Sequence, residues 1–270
     1  MAIPLNITQE MELRYKPYKF EELKTLSNYM DEYWATSFII VPIYLLLIFV
    51  GKTYMKNRKG FNLQKPLILW SFSLAVFSII GAVRMWGYMS ILWHNYNMMN
   101  TVCFSIFIDS TTVKFWSSIF AVSKIVELGD TAFIILRKRP LIFVHWYHHS
   151  SVLMFTFFGY YKKMPGGGWF MTINFGVHAI MYTYYTLKAC HINTPRILPI
   201  LITSLQILQM VAGLLVSIMV YFWRQEDGCS TTENELFWSA LLYISYFILF
   251  ANFFIRAYII PKDKAKIKSQ

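Results

Sequence analysis

Three histidines stand at i, i+3 and i+4 in the segment His145-Trp146-Tyr147-His148-His149, so a helix would carry all three imidazoles on one face. A neutral imidazole at cytosolic pH is able to act as a general base, accept an acyl group or ligate a metal. Three further stretches carry polar residues at helical spacing. Lys124, Glu127 and Asp130 recur every three residues and are followed by Thr131. Asn174, His178, Met181, Tyr182 and Tyr185 occupy i, i+4, i+7, i+8 and i+11, and Thr203, Gln206 and Gln209 repeat at three-residue spacing. One such stripe serves to pack helices through interhelical hydrogen bonds. Four in succession point to a shared interior site.

The elements that must position these groups are membrane helices. Of 270 residues, 56% are hydrophobic and 14% charged, against roughly 25% charged in a soluble domain. So much apolar surface needs lipid as part of its solvent. The net charge of +11 does not indicate a nucleic-acid partner, because the cations lie between apolar runs rather than on one continuous face. Seven segments are long and apolar enough to span, at 34–50, 67–86, 115–136, 141–160, 169–189, 197–223 and 236–260, and lipid forces each to be helical. The reading is an all-α membrane protein of seven transmembrane helices. Residues 1–33 form a lumenal tail, 34–260 the catalytic bundle and 261–270 a basic cytosolic tail. No cleavable signal peptide is expected, since the first 33 residues are polar and mixed in charge.

Orientation follows from the loops. One face receives 14 Lys and Arg against 7 on the other, which places the N-terminus in the lumen and the C-terminus in the cytosol. Charged groups at bilayer depth cost about 2.5–3.5 kcal/mol each, so they face a bundle interior and mark function. His145, His148 and His149 then lie near the cytosolic end of their helix, below the loop Arg137-Lys138-Arg139. A substrate arriving from the cytosol meets cations, then histidines, then an apolar interior. Long-chain acyl-CoA has that order of parts.

The segments KIVELGDT (124–131), HWYHH (145–149), NFGVHAIMYTYY (174–185) and TSLQILQ (203–209) resemble, in order and spacing, the four boxes of the ELO family of very-long-chain fatty acid elongases. The similarity runs through the whole membrane portion. It implies a bundle in which six of seven helices surround a substrate tunnel, and a condensation of acyl-CoA with malonyl-CoA that yields 3-oxoacyl-CoA, carbon dioxide and CoA. It implies saturated and monounsaturated acyl-CoA substrates and no bound cofactor. Partners would be membrane lipid and the other enzymes of an elongation cycle: 3-oxoacyl-CoA reductase, dehydratase and enoyl reductase.

No cysteine belongs to a polar stripe, so a thiolate acyl carrier is not expected. His148 is the expected nucleophile, with His145 and His149 orienting it or moving protons and Asp130 or Glu127 fixing a tautomer. His178 would polarise the thioester carbonyl or an enolate oxygen, and Lys124 would pair with Glu127 or attract the malonyl carboxylate. Asn174, Tyr182, Tyr185, Gln206, Gln209, Arg137, Lys138 and Arg139 are expected to bind substrate. Two other classes compete. A metal-dependent desaturase or hydroxylase shares the H-x-x-H-H spacing but needs more histidine boxes than six histidines supply. A seven-helix receptor places its ligand groups in the outer half of the bundle, whereas this site opens inward.

Cys103 and Cys229 fall in different lumenal loops, where oxidation is permitted; a disulfide and two free thiols are both compatible with the sequence, and Cys190 reads as free. Trp34, Trp70, Trp86, Trp169, Trp223 and Trp238 read as interfacial anchors. The roles of Arg84 and Arg256 stay open. Lys266 and Lys268 resemble a dilysine retrieval signal, with a solvated basic tail as the other reading, and Asn6-Ile7-Thr8 is a glycosylation acceptor usable only in the lumen. Together they favour the endoplasmic reticulum. Glycosidase treatment of the membrane-inserted protein is therefore expected to increase gel mobility of the wild type and leave Asn6→Gln unchanged. Identical mobilities with and without enzyme would place Asn6 away from the glycosylation machinery.

Overall fold

The computed structural model describes residues 5–22, 25–103, 110–225, 229 and 231–260. Among these residues there is no strand. The elements are α1 (Leu5–Arg14), a 3-10 turn (Lys19–Glu22), α2 (Thr25–Tyr33), α3 (Ser37–Met55), α4 (Gln64–Asn95), α5 (Met98–Cys103), α6 (Thr111–Glu127), α7 (Gly129–Leu136), α8 (Phe143–Lys162), α9 (Gly167–Ala189), α10 (Ile197–Trp223) and α11 (Glu233–Phe254). Each of the seven apolar segments coincides with a helix, or with the pair α6–α7. Four stretches are long and apolar enough to cross a membrane: one ending in α3, then α4, α10 and α11 with its terminal turn. These helices present Leu46, Phe49, Leu69, Val83, Leu208, Phe222, Phe237 and Ile248 outward, as lipid-facing surface must. α6, α7, α8 and α9, which hold three of the four polar stripes, are not among these four, whereas α10, which holds the fourth stripe, is.

The third expected span is not one helix. Leu128 interrupts it, and the turn there tightens to i→i+3 bonds, Leu128 N–H to Ile125 O at 3.2 Å and Thr131 N–H to Leu128 O at 3.1 Å. Glu127 thus ends α6, while Asp130 falls in the first turn of α7. Close packing accompanies the break: the Trp70 ring lies against Gly129, where a Cβ would sit 2.5 Å from a ring carbon. α4 lies along α9, and α10 along α11.

The first 33 residues are more than a tail. Met11, Glu21 and Met30 are buried, and α1 and α2 fold against the bundle. The anchor is Glu21, which takes a two-pronged bond from Arg84 of α4 (Nε to Oε1 2.8 Å, Nη2 to Oε2 2.6 Å). Trp116 Nε1 donates to Oε1 at 2.7 Å, and Thr112 Oγ1 and the Tyr18 N–H donate to Oε2 at 3.2 and 2.8 Å. The Arg84 guanidinium is sandwiched between the Tyr15 and Tyr18 rings at 4.3 and 4.2 Å. Arg84 therefore pairs, whereas Arg256 is exposed and bonds its own helix through Asn252 at 3.1 Å. Asn6 belongs to α1 with its side chain outside the description, and Lys266 and Lys268 lie outside the described residues.

Cys103 and Cys229 are joined in a disulfide with Cα atoms 4.4 Å apart, and Cys190 is free and exposed. One residue before Cys103, the Val102 carbonyl accepts the Gly166 N–H at 2.7 Å. Gly166 holds φ at 79°, a conformation that favours glycine, and starts α9.

Removing one member of a buried pair strands the other, at a cost of about 3–5 kcal/mol. Glu21→Gln and Arg84→Met are each expected to lower the melting temperature of detergent-solubilised protein substantially, and the double variant by less than the sum. Strict additivity would show that the pair is not coupled.

Candidate active site

Three of the four polar stripes meet in a layer between α6, α7, α8 and α9, and the fourth, on α10, contributes Gln209 to the adjoining apolar pocket. Lys124 is the donor at its centre: its buried ammonium reaches Glu127 Oε1 at 2.7 Å and Asn174 Oδ1 at 2.9 Å, and lies 4.3 Å from the Phe120 ring centroid. Ser123 donates to the same Glu127 oxygen at 3.3 Å, and His178 Nδ1 stands 3.6 Å from it, in ion-pair range but longer than a hydrogen bond. Glu127 Oε2, His148 Nδ1 and His149 Nδ1 are buried with no hydrogen-bond partner among the described residues.

The roles expected for the carboxylates change. Among the described residues Asp130 forms no hydrogen bond with a histidine; it accepts Trp70 Nε1 at 2.7 Å and the Tyr182 hydroxyl at 2.8 Å. Trp70, read above as an interfacial anchor, also donates to this candidate site residue. Of the three histidines, His145 is held by a hydroxyl: Thr131 Oγ1 lies 3.0 Å from its Nε2, and Tyr44 OH lies 2.8 Å from Thr131 Oγ1. The His149 ring packs 4.4 Å from that of His145 and 5.7 Å from that of His148. His148 itself packs 4.7 Å from the Tyr246 ring of α11, whose hydroxyl meets Ser151 Oγ at 2.8 Å. Among the described residues no three His, Cys, Asp or Glu side chains cluster in a way that would hold a metal ion.

Two pockets flank this layer. One, of about 770 Å³, is walled mainly by apolar side chains of α6, α8, α9, α10 and α11, with His148, Asn174, Gln209 and Tyr246 among its polar lining. The other, of about 1070 Å³, is lined by Asp130 and His145 together with Arg137, Arg139, Lys188, His191 and Tyr185. Leu67, Phe133, Ile134 and Ala189 also line it, and its cations and hydrogen-bond donors suit phosphate groups. Lys138, expected beside its neighbours, is used elsewhere: it donates to the carbonyls of Lys56 and Arg58 at 3.1 and 2.8 Å and fastens the α7–α8 loop to the α3–α4 loop. Gln206 lines neither pocket and donates to Met181 Sδ at 3.3 Å. Tyr44, Trp70, His191 and Tyr246 are the residues that the stripes do not contain.

Lipid-facing helices closed around buried imidazoles, with an apolar chamber on one side and cations on the other, define a membrane-embedded enzyme of lipid chemistry. The chain belongs to the ELO (GNS1/SUR4) family, whose model matches residues 29–266. It is 63% identical over 270 residues, the whole of both chains, to human very long chain fatty acid elongase 3. The mouse very long chain fatty acid elongase 3 is 61% identical over 255 residues, 94% of each chain. Human very long chain fatty acid elongase 6 is 44% identical over 250 residues, 92% of this chain and 94% of its own.

Tyr44 lies outside every stripe yet holds the hydroxyl that holds His145. Tyr44→Phe is expected to lower kcat for 3-oxoacyl-CoA formation by about tenfold to a hundredfold, with KM little changed, as misplacement of a catalytic group does. Unaltered kinetics would show that Thr131 alone fixes the ring.

Proposed function

We propose that this chain is the condensing enzyme of a fatty acid elongation cycle, a very-long-chain 3-oxoacyl-CoA synthase that carries the acyl group on His148. Saturated or monounsaturated long-chain acyl-CoA and malonyl-CoA are the substrates. The observation that carries the reading is a division of labour on α8: His148 lines the apolar pocket, whereas His145 lines the cationic one. An acyl-CoA lying across the layer has its chain in the first and its phosphates in the second, with the thioester beside His148.

The chemistry then runs in two transfers. His148 attacks the thioester carbonyl, the C–S bond breaks, and the departing CoA thiolate takes up a proton that the neighbouring imidazoles His145 and His149 are placed to relay. Malonyl-CoA next loses carbon dioxide, the carbon of its enolate attacks the acyl-imidazole, the C–N bond breaks, and the departing His148 imidazolate takes a proton from solvent through the same imidazoles. His178, with Lys124 and Asn174 near it, supplies the positive end for oxygen charge that develops in each step. Glu127 keeps Lys124 paired while substrate is absent.

In this reading all seven helical segments cross the bilayer of the endoplasmic reticulum, with the N-terminus lumenal, so that the cationic pocket faces cytosolic CoA. Support comes from the 14-to-7 asymmetry of Lys and Arg between the two faces. The catalytic unit runs from 34 to 260 with its lumenal and basic cytosolic flanks, needs no metal or cofactor, and hands its product to a 3-oxoacyl-CoA reductase, a dehydratase and an enoyl reductase.

Acyl-CoA alone is expected to release up to one equivalent of free CoA and to raise the intact mass by the acyl group, with peptide sequencing locating the adduct at His148. His148→Ala should lose both adduct and condensation while the protein still inserts and folds. Direct attack of the enolate on bound acyl-CoA gives no CoA release without malonyl-CoA, and that result would end the covalent scheme. An adduct on His178 would exchange the two histidines.

A further inference from the structure

The histidines of the site are oriented by different means. His145 has the Thr131 hydroxyl against its Nε2, and His178 stands beside Glu127. His148 has no comparable hold: its Nδ1 is buried without a hydrogen-bond partner among the described residues. What surrounds its imidazole is aromatic. The Tyr246 and Phe250 rings of α11 lie 4.7 and 5.8 Å from it, inclined at 60° and 84°, and the His149 ring lies 5.7 Å away at 77°. Tyr246 and Phe250 are four residues apart, so one face of α11 presents both.

The larger of these contacts is itself fixed. Tyr246 is buried, its hydroxyl meets Ser151 Oγ at 2.8 Å, and it packs in one cluster with Met210 and Tyr243. Tyr147 answers in the other direction and donates its hydroxyl to Ser245 Oγ of α11 at 3.1 Å. A tyrosine and a serine from each helix thus make two crossed links, and on α8 they stand one residue before His148 and three after it. The torsion that turns a histidine ring about its Cβ–Cγ bond is broad, so the side chain does not choose its own angle. Its surroundings must choose it, and on the α11 side those surroundings are two rings, one of them tied at its hydroxyl.

We propose that Tyr246, backed by Phe250, is a positioning residue that sets the His148 imidazole for attack on the thioester carbonyl. The proposal rests on His148 being the acyl carrier. The tilted rings fill the role that a hydrogen-bonding third group has where a catalytic histidine is oriented by a carboxylate. α11 carries none of the four polar stripes, and it acts on the chemistry through the ring that it presses against α8. Without that ring the imidazole samples angles from which its nitrogen is out of line with the carbonyl. Acyl transfer then slows, while the number of competent sites stays the same.

Purified full-length wild type, Tyr246→Leu, Tyr246→Phe and Phe250→Leu are mixed rapidly with saturating long-chain acyl-CoA in the absence of malonyl-CoA, and free CoA is followed in time. The amplitude counts competent sites, and the rate constant reports the attack. Tyr246→Leu is expected to keep the wild-type amplitude and to release CoA about tenfold to a hundredfold more slowly, as misalignment of a reacting group does. Phe250→Leu, which keeps Tyr246, should be slower by about threefold to tenfold, and it carries the test if Tyr246→Leu does not fold. Tyr246→Phe restores the ring and should recover the rate to within about threefold of wild type. Unchanged rate constants in both Leu variants, or a lower amplitude at an unchanged rate constant, would overturn the positioning role. Equal slowing in Tyr246→Phe and Tyr246→Leu would assign the effect to the bond with Ser151 and overturn orientation by the ring. A wild type that releases no CoA without malonyl-CoA would overturn the covalent reading and this proposal with it.

Discussion

A lysine without access to water needs an anion, and most of this structure is arranged around that requirement. Lys124 is 2% exposed in a helix that lies among lipid-facing neighbours, and Glu127 is 3% exposed one turn away. Neither charge is tolerable alone at that depth. The pair with its Asn174 contact ties α6 to α9, and His178 follows one turn later on α9 beside the same carboxylate. With α6 and α9 fixed in this way, α8 brings its histidines into the remaining side of the layer.

The layer separates two environments that one substrate must occupy together. Cations and donors line the side that takes charge, whereas Phe155, Phe170, Met210, Leu242 and similar side chains line the other. Neither pocket alone would hold a thioester in place. A ligand with a charged head and a long tail gains from both, and its single reactive bond falls at the boundary. In the proposed reaction the bundle would convert amphipathicity of the substrate into position at the histidines, a part of catalysis that is costly to achieve by chance encounter.

Much of this was legible in the amino-acid order because lipid makes polar residues informative. In a soluble protein, a lysine, a glutamate and three histidines at helical spacing would pass for a solvated face. Inside apolar runs they have no such role, so Lys124, Glu127, His145, His148, His149, Asn174 and His178 declare an interior site. The break at Leu128 was not legible: no proline or special spacing marks it, and the spacing of Glu127 and Asp130 reads as one continuous face. Trp70 and Tyr246 escaped for the opposite reason. Aromatic residues make up 19% of the chain, and nothing in sequence distinguishes a membrane-interface tryptophan from one that donates to Asp130. Glu21 was one acid among several in a mixed N-terminal stretch, and its burial depends on Arg84, Thr112 and Trp116, which are far away in sequence.

The disulfide has a consequence for how the molecule is made. Cys103 and Cys229 are 126 residues apart, and the second lies close before the last long helix. A chain that inserts from its N-terminus completes α8 and α9 long before Cys229 becomes available to its partner. The turn at Gly166, which Val102 fastens, therefore receives its covalent brace only when assembly is almost finished. Until then the bundle exists in a reduced form whose far rim is held by one backbone hydrogen bond and side-chain packing. Of the links that hold this rim, the disulfide is therefore the last that a growing chain can close.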